Sequence, residues 1–70
     1  MIRKPVESRN ITSVGYESSS GTLEVEFFNN DIYQFVGVPQ EVYDEFMGSQ
    51  SLGGYFHNKI KVTGYAFKRL

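Results

Sequence analysis

The run Leu23-Glu24-Val25-Glu26-Phe27 alternates apolar and acidic residues with period two. A β-strand places every second side chain on one face, so Leu23, Val25 and Phe27 belong against a core and the two glutamates face away from it. The segments on either side supply this strand with neighbours. Upstream, Thr12-Ser13-Val14-Gly15-Tyr16-Glu17 is a second strand pattern with Val14 and Tyr16 on one face, and Ser18-Ser19-Ser20-Gly21 makes the turn between them. Downstream, Asn29-Asn30-Asp31 turns the chain, because Asn and Asp tolerate left-handed backbone angles and bond their own backbone. Ile32-Tyr33-Gln34-Phe35-Val36 is the returning strand. The first half therefore reads as a three-stranded antiparallel β-meander.

The register of the last hairpin decides which face two aromatic residues occupy, since a slip of one residue exchanges the faces. A two-residue loop, Asn29-Asn30, sets Tyr33 and Phe35 beside Glu24 and Glu26 as an aromatic platform away from the core. A three-residue loop ending at Asp31 sets them with Leu23, Val25 and Phe27 and leaves Gln34 beside the glutamates. The second register builds the larger apolar face and is the one expected.

The second half carries helical signals, which makes the fold class α+β. Pro39 suits a first helical position, Glu41 sits where the helix dipole favours an anion, and Val42, Tyr43, Phe46 and Met47 recur on one side before Gly48 ends the run. Ser51 caps a second short helix whose Leu52, Phe56, Lys59 and Ile60 share a face, with Gly53-Gly54 weakening its first turn. Gly64-Tyr65-Ala66-Phe67-Lys68-Arg69-Leu70 alternates as a C-terminal edge strand or extended tail, Tyr65 and Phe67 on one side and Lys68 on the other.

Seventy residues make a single domain over 1–70, with residues 1–9 reading as a flexible N-terminal arm. There are no cysteines, so neither disulfides nor thiolate metal sites reinforce so small a core. Six Phe and five Tyr are many for such a core to absorb, and self-association into a homo-oligomer is expected. The N-terminus lacks the apolar run of a signal peptide and no stretch has the length of a membrane span, so a soluble cytoplasmic protein is the expectation, with no membrane contact.

Charge is segregated along the chain. Every base lies in residues 1–9 (Arg3, Lys4, Arg9) or 59–70 (Lys59, Lys61, Lys68, Arg69), while residues 10–58 hold seven carboxylates and no base. If the termini meet, Arg3, Lys4 or Arg9 joins Lys68-Arg69 in one cationic spot on an anionic body.

These segments together resemble the KTSC domain, a short module found at the end of some lysyl-tRNA synthetases and as a free-standing bacterial or phage protein. The resemblance rests on Ser13-Val14-Gly15-Tyr16 with the strand after it, Tyr33-Gln34-Phe35 where the family has Tyr-x-Tyr, and Val38-Pro39. It rests also on Ser51-Leu52-Gly53-Gly54-Tyr55-Phe56 and on Tyr65-Ala66-Phe67-Lys68-Arg69, which is similar to a family Tyr-Pro-Tyr followed by bases. Phe35 and Phe67 lack the family's phenol hydroxyls, His57 stands in place of Asn and Ala66 in place of Pro. The resemblance implies an RNA-binding role and no catalytic residues.

No catalytic constellation is visible. His57 is the only histidine and so the only candidate general base, and Asn58 and Ser51, not a carboxylate, are its nearest partners in sequence. One His and scattered carboxylates give no metal-ligand spacing. The leading expectation is a non-enzymatic protein, with no cofactor, that holds a small nucleotide between the rings of Tyr33, Phe35, Tyr65 and Phe67 and thereby sequesters a nucleotide signal. Arg9, Lys68 and Arg69 would sit on its phosphates, and the small residues Ser49, Ser51, Gly53 and Gly54 would add backbone N–H donors, with Lys59 and Lys61 within reach of the same end of the molecule. RNA binding is the alternative, opposed by a net charge of −1. A protein-interaction module using the sheet edge and tail is the third reading.

Overall fold

A computed structural model describes residues 1–70. Five strands form one antiparallel sheet in sequence order: β1 (Lys4–Pro5), β2 (Ile11–Glu17), β3 (Thr22–Phe27), β4 (Ile32–Phe35) and β5 (Phe67–Arg69). Helices α1 (Gln40–Met47) and α2 (Leu52–Tyr55) follow β4, and α2 continues into a π-helical segment, Phe56–Lys61. No helix is long and apolar enough to cross a membrane.

The α+β class and the meander are present, but the sheet has five strands where three and an edge were expected. The added strand lies in the predicted arm, where Lys4 pairs with Val14 and Pro5 with Ser13. Gly15 makes room for the segment preceding it, since a Cβ there would stand 2.8 Å from the carbonyl oxygen of Ile2.

Within β2 the alternation breaks once. Ile11 pairs with Phe27 and Ser13 with Glu26, so Thr12 is an extra residue in a β-bulge. The bulge exchanges the faces at that end of the strand, burying Ile11 and exposing Thr12.

In the β3–β4 hairpin, Leu23 opposes Phe35, Glu24 opposes Gln34 and Val25 opposes Tyr33. The faces are those expected, but the loop starts one residue earlier and the pairing moves by two. Phe27 N–H donates to Asp31 O (2.8 Å) and Asn30 N–H to Phe27 O, with Asn30 at φ +73°. This left-handed residue closes the loop over Phe28–Asn30 and leaves Phe28 78 % exposed.

The core joins Ile11, Val14, Leu23, Val25 and Phe35 of the sheet to Val38, Phe46, Phe56 and Ile60. Pro39 occupies the cap before α1 (ψ 151°) instead of its first position, its carbonyl accepting from Val42 and Tyr43 N–H. Tyr43 stacks on Tyr16 at 4.5 Å, and the Tyr16 hydroxyl donates to Val38 O, tying α1 and its approach to the sheet. In the second helix Phe56 and Ile60 are buried as expected, whereas Lys59 is exposed. The wide π turn accounts for this, because α-helical spacing does not describe its faces.

Candidate functional site

On the core side of the sheet, burial falls away towards β5. Phe35 is 4 % exposed, while Phe67, its partner across β4 and β5, is 60 % exposed. Beyond the reach of α1, the outer strands, the π-helical segment and the Gly64-Tyr65 turn enclose an open cavity of about 480 Å³. Such a volume is typical of small-molecule sites.

Its walls are aromatic. Tyr33 lies 5.7 Å from Phe67 and 6.3 Å from Phe35, with the rings of Tyr33 and Phe35 nearly parallel (16°). Phe56 meets Phe35 edge-on at 5.5 Å and Phe27 at 5.1 Å. Tyr65 completes the lining of rings, with Phe28 at one margin. The polar lining comprises Asn10, Asn29, Asp31 and Lys61. Both carboxylate oxygens of Asp31 are engaged, one by Arg69 (2.9 Å) and the other by the Asn29 amide (3.1 Å).

Four of the residues named from sequence, Tyr33, Phe35, Tyr65 and Phe67, meet in this cavity. Arg69 borders it through Asp31, and Arg9 precedes the lining residue Asn10. Lys68 does not join them. Strand alternation turns it to the opposite face beside Gln34, at a shallow hollow shared with Val36 and Ala66. Ser51, Gly53 and Gly54 are also absent from the lining. Ser51 Oγ already accepts the Gly54 N–H (3.1 Å), its carbonyl accepts Tyr55 N–H, and Gly53 packs under the Asn10 side chain. Ser51 is thus the cap of its own helix, and the Gly54 N–H is engaged within that helix entry, not directed at the cavity.

Two of the N-terminal bases, Arg3 and Lys4, do not join Lys68-Arg69 within the chain. Lys4 is on β1 and Lys68-Arg69 on β5, at opposite edges of the sheet, four strand steps or roughly 19 Å apart. Arg3 instead crosses the polar face to pair with the nearly buried Glu24 and to donate to Ser13 Oγ, which donates in turn to Glu26. Gln34 bonds the other Glu24 oxygen at 2.9 Å. Burial pushes the Glu24 pKa up, but these hydrogen bonds and the charges of Arg3 and the N-terminus together hold it below the ordinary carboxylate value.

Lys61, Asn10 and Phe56 were not selected from sequence as parts of an aromatic site. Phe56 reads as a core residue, which it also is, and Asn10 enters only because the β1–β2 connection passes the end of the β3–β4 hairpin, where Phe28 N–H donates to Asn10 O (2.9 Å).

The KTSC domain profile matches residues 7–65. A crystal structure of a KTSC domain protein from Yersinia pestis superposes with a TM-score of 0.93 at 33% identity, covering 99% of this chain and 96% of that one. An uncharacterized protein of Stutzerimonas stutzeri is 33% identical over 70 residues, which is 99% of its length. The lysine–tRNA ligase of Trichormus variabilis is 38% identical over 55 residues, 79% of this chain but only 10% of the ligase. With a family profile spanning most of its length and this likeness in sequence and fold, the chain belongs to the KTSC domain family.

Proposed function

We propose that this chain is a non-enzymatic binding protein that holds a small nucleotide in the aromatic cavity between β4, β5 and the π-helical segment. The observation that carries this reading is the convergence of Tyr33, Phe35, Phe56, Tyr65 and Phe67 on one open cavity with a polar margin. Nucleobases have extended π faces, and stacking on aromatic side chains is worth about 1–3 kcal/mol per base. Asn10 offers both donors and an acceptor to a base edge, whereas the Asn29 amide is engaged by Asp31 through both its oxygen and its nitrogen. Asp31, the one carboxylate in the lining, is committed to Arg69 and Asn29, which suits a binding wall better than proton transfer. Sequestration of a nucleotide signal is the biological role such a protein would serve.

Native mass spectrometry of the protein purified from cells, followed by calorimetry with nucleosides and nucleotides, tests this reading. Retained nucleotide or saturable one-to-one binding, lost in Tyr33→Ala and Phe67→Ser, is the expected result. Absence of any nucleoside or nucleotide binding overturns it.

RNA binding is the second reading, favoured by the likeness to a segment of lysine–tRNA ligases. On that reading the same rings would stack single-stranded bases.

A further inference from the structure

The cavity has two charged side chains in its lining, Asp31 and Lys61. Arg69 pairs with Asp31 at 2.9 Å, whereas Lys61 makes no ion pair within the chain. The lining therefore presents one uncompensated positive charge.

Helix geometry explains how that charge reaches the cavity. Lys61 is the last residue of the π-helical segment and Phe56 the first, and both line the site. At 3.6 residues per turn, residues five apart point about 140° away from each other. Hydrogen bonding from i to i+5 widens the turn and brings such residues towards one face. The wide turn thus brings Lys61 into the lining together with Phe56, while Lys59 stays in solvent. π-Helical turns recur at functional sites.

We propose that Lys61 is the anion-binding residue of the cavity and selects a ligand bearing a single phosphate group. This rests on the nucleotide reading and names its ligand class: a base stacked in the aromatic cavity and one phosphate on the Lys61 ammonium. A lysine acts as a compact point charge with three donors, suited to one phosphate. The further negative charge of a triphosphate would find no other unpaired base in the lining, since Arg69 at its border is engaged by Asp31. Lys68, on the other face of the sheet, cannot relieve it.

The test is calorimetry with the four ribonucleosides, their 5′-monophosphates and their 5′-triphosphates, on the wild type and on Lys61→Ala, Lys61→Arg, Lys59→Ala and Lys68→Ala. Lys61 is exposed, so the variants keep the fold, which circular dichroism checks. The preferred monophosphate is expected to bind roughly tenfold to a hundredfold tighter than its nucleoside, and its triphosphate no tighter. Lys61→Ala removes that advantage, Lys61→Arg retains part of it, and the Lys59 and Lys68 variants behave as wild type. A triphosphate bound tenfold tighter than the monophosphate, or a Lys61→Ala protein with undiminished monophosphate affinity, overturns the assignment while nucleoside binding upholds the aromatic site. No binding of any of these compounds overturns both.

Discussion

Glu24 shows what a single residue can reveal about the sheet. It belongs to the alternating run that marks β3, yet it is 4 % exposed, because the segment before β1 folds over Gly15 and delivers Arg3 to it. Its pKa is depressed, so the bound proton favours the unfolded chain. The stability it contributes is present above the ordinary value of 4.5 and is lost as pH falls through the lower folded value. Glu24→Gln is expected to flatten the stability profile below pH 4.5 and, by leaving Arg3 without its carboxylate, to cost about 1–3 kcal/mol at neutral pH. Urea titrations at several pH values measure both. Tyr55 has the opposite sign: burial and its hydrogen bond to Glu45 raise its pKa to about 12. Stability from the neutral phenol is complete below pH 10 and declines towards pH 12, and Tyr55→Phe is expected to remove that part of the alkaline limb, as thermal melts across this range would record.

At the scale of elements, the legible parts of the fold were those with a period. The alternation in β3 placed Leu23 and Val25, and the preference for the larger apolar face put Tyr33 and Phe35 on the correct side even though the loop was displaced by one residue. The pattern Val42, Tyr43, Phe46 and Met47 located α1 with Phe46 at its buried centre. Features without a period were not legible. A two-residue strand such as Lys4–Pro5 has no pattern of its own, the Thr12 bulge inverts a pattern locally, and π winding has no distinct sequence signal, so reading at 3.6 residues per turn put Lys59 with Phe56 and assigned Lys61 to the helix entry at Gly53-Gly54, not to the aromatic site. Tyr33, Phe35 and Phe67 could be found because rings at alternate positions of paired strands share a face, and Tyr65, two residues before Phe67, continues that alternation ahead of β5. Two substitutions test this account of the elements. Phe46→Ala is expected to cost about 3–5 kcal/mol, a large share of the stability of a small domain. Gly15→Ala, whose Cβ meets backbone 2.8 Å away, should displace the segment before β1. In urea titrations its cost should overlap with that of Arg3→Ala, the double variant falling short of the sum of the two.

For the whole molecule, the placement of charge and of exposed rings decides what partners fit. Phe28, Val62 and Phe67 are 78 %, 69 % and 60 % exposed and belong to segments around the cavity, which supports the expectation that the chain self-associates. Light scattering at micromolar concentration is expected to give at least a dimer, and a monomer mass independent of concentration would refute it. Charge bears on the choice between nucleotide and RNA. Arg3 is taken up by Glu24 and Glu26, Arg69 by Asp31, and Lys4 and Lys68 lie on opposite edges of the sheet. A polyanion gains affinity when several phosphates are neutralised together, each contact releasing counterions and steepening the dependence on salt. With a net charge of −1, Arg3 and Arg69 paired and Lys4 and Lys68 on opposite edges, we expect no continuous basic track for a strand to follow. Affinity for single-stranded oligoribonucleotides is therefore expected to level off after the one or two nucleotides that the cavity admits, with a shallow salt slope of about one released ion. Fluorescence anisotropy with labelled oligonucleotides of 2, 6 and 12 nucleotides, at two salt concentrations, reads both quantities. Affinity that climbs with length and collapses with salt would mean that the tract beyond the cavity binds phosphates, and RNA would then replace the small nucleotide as the ligand.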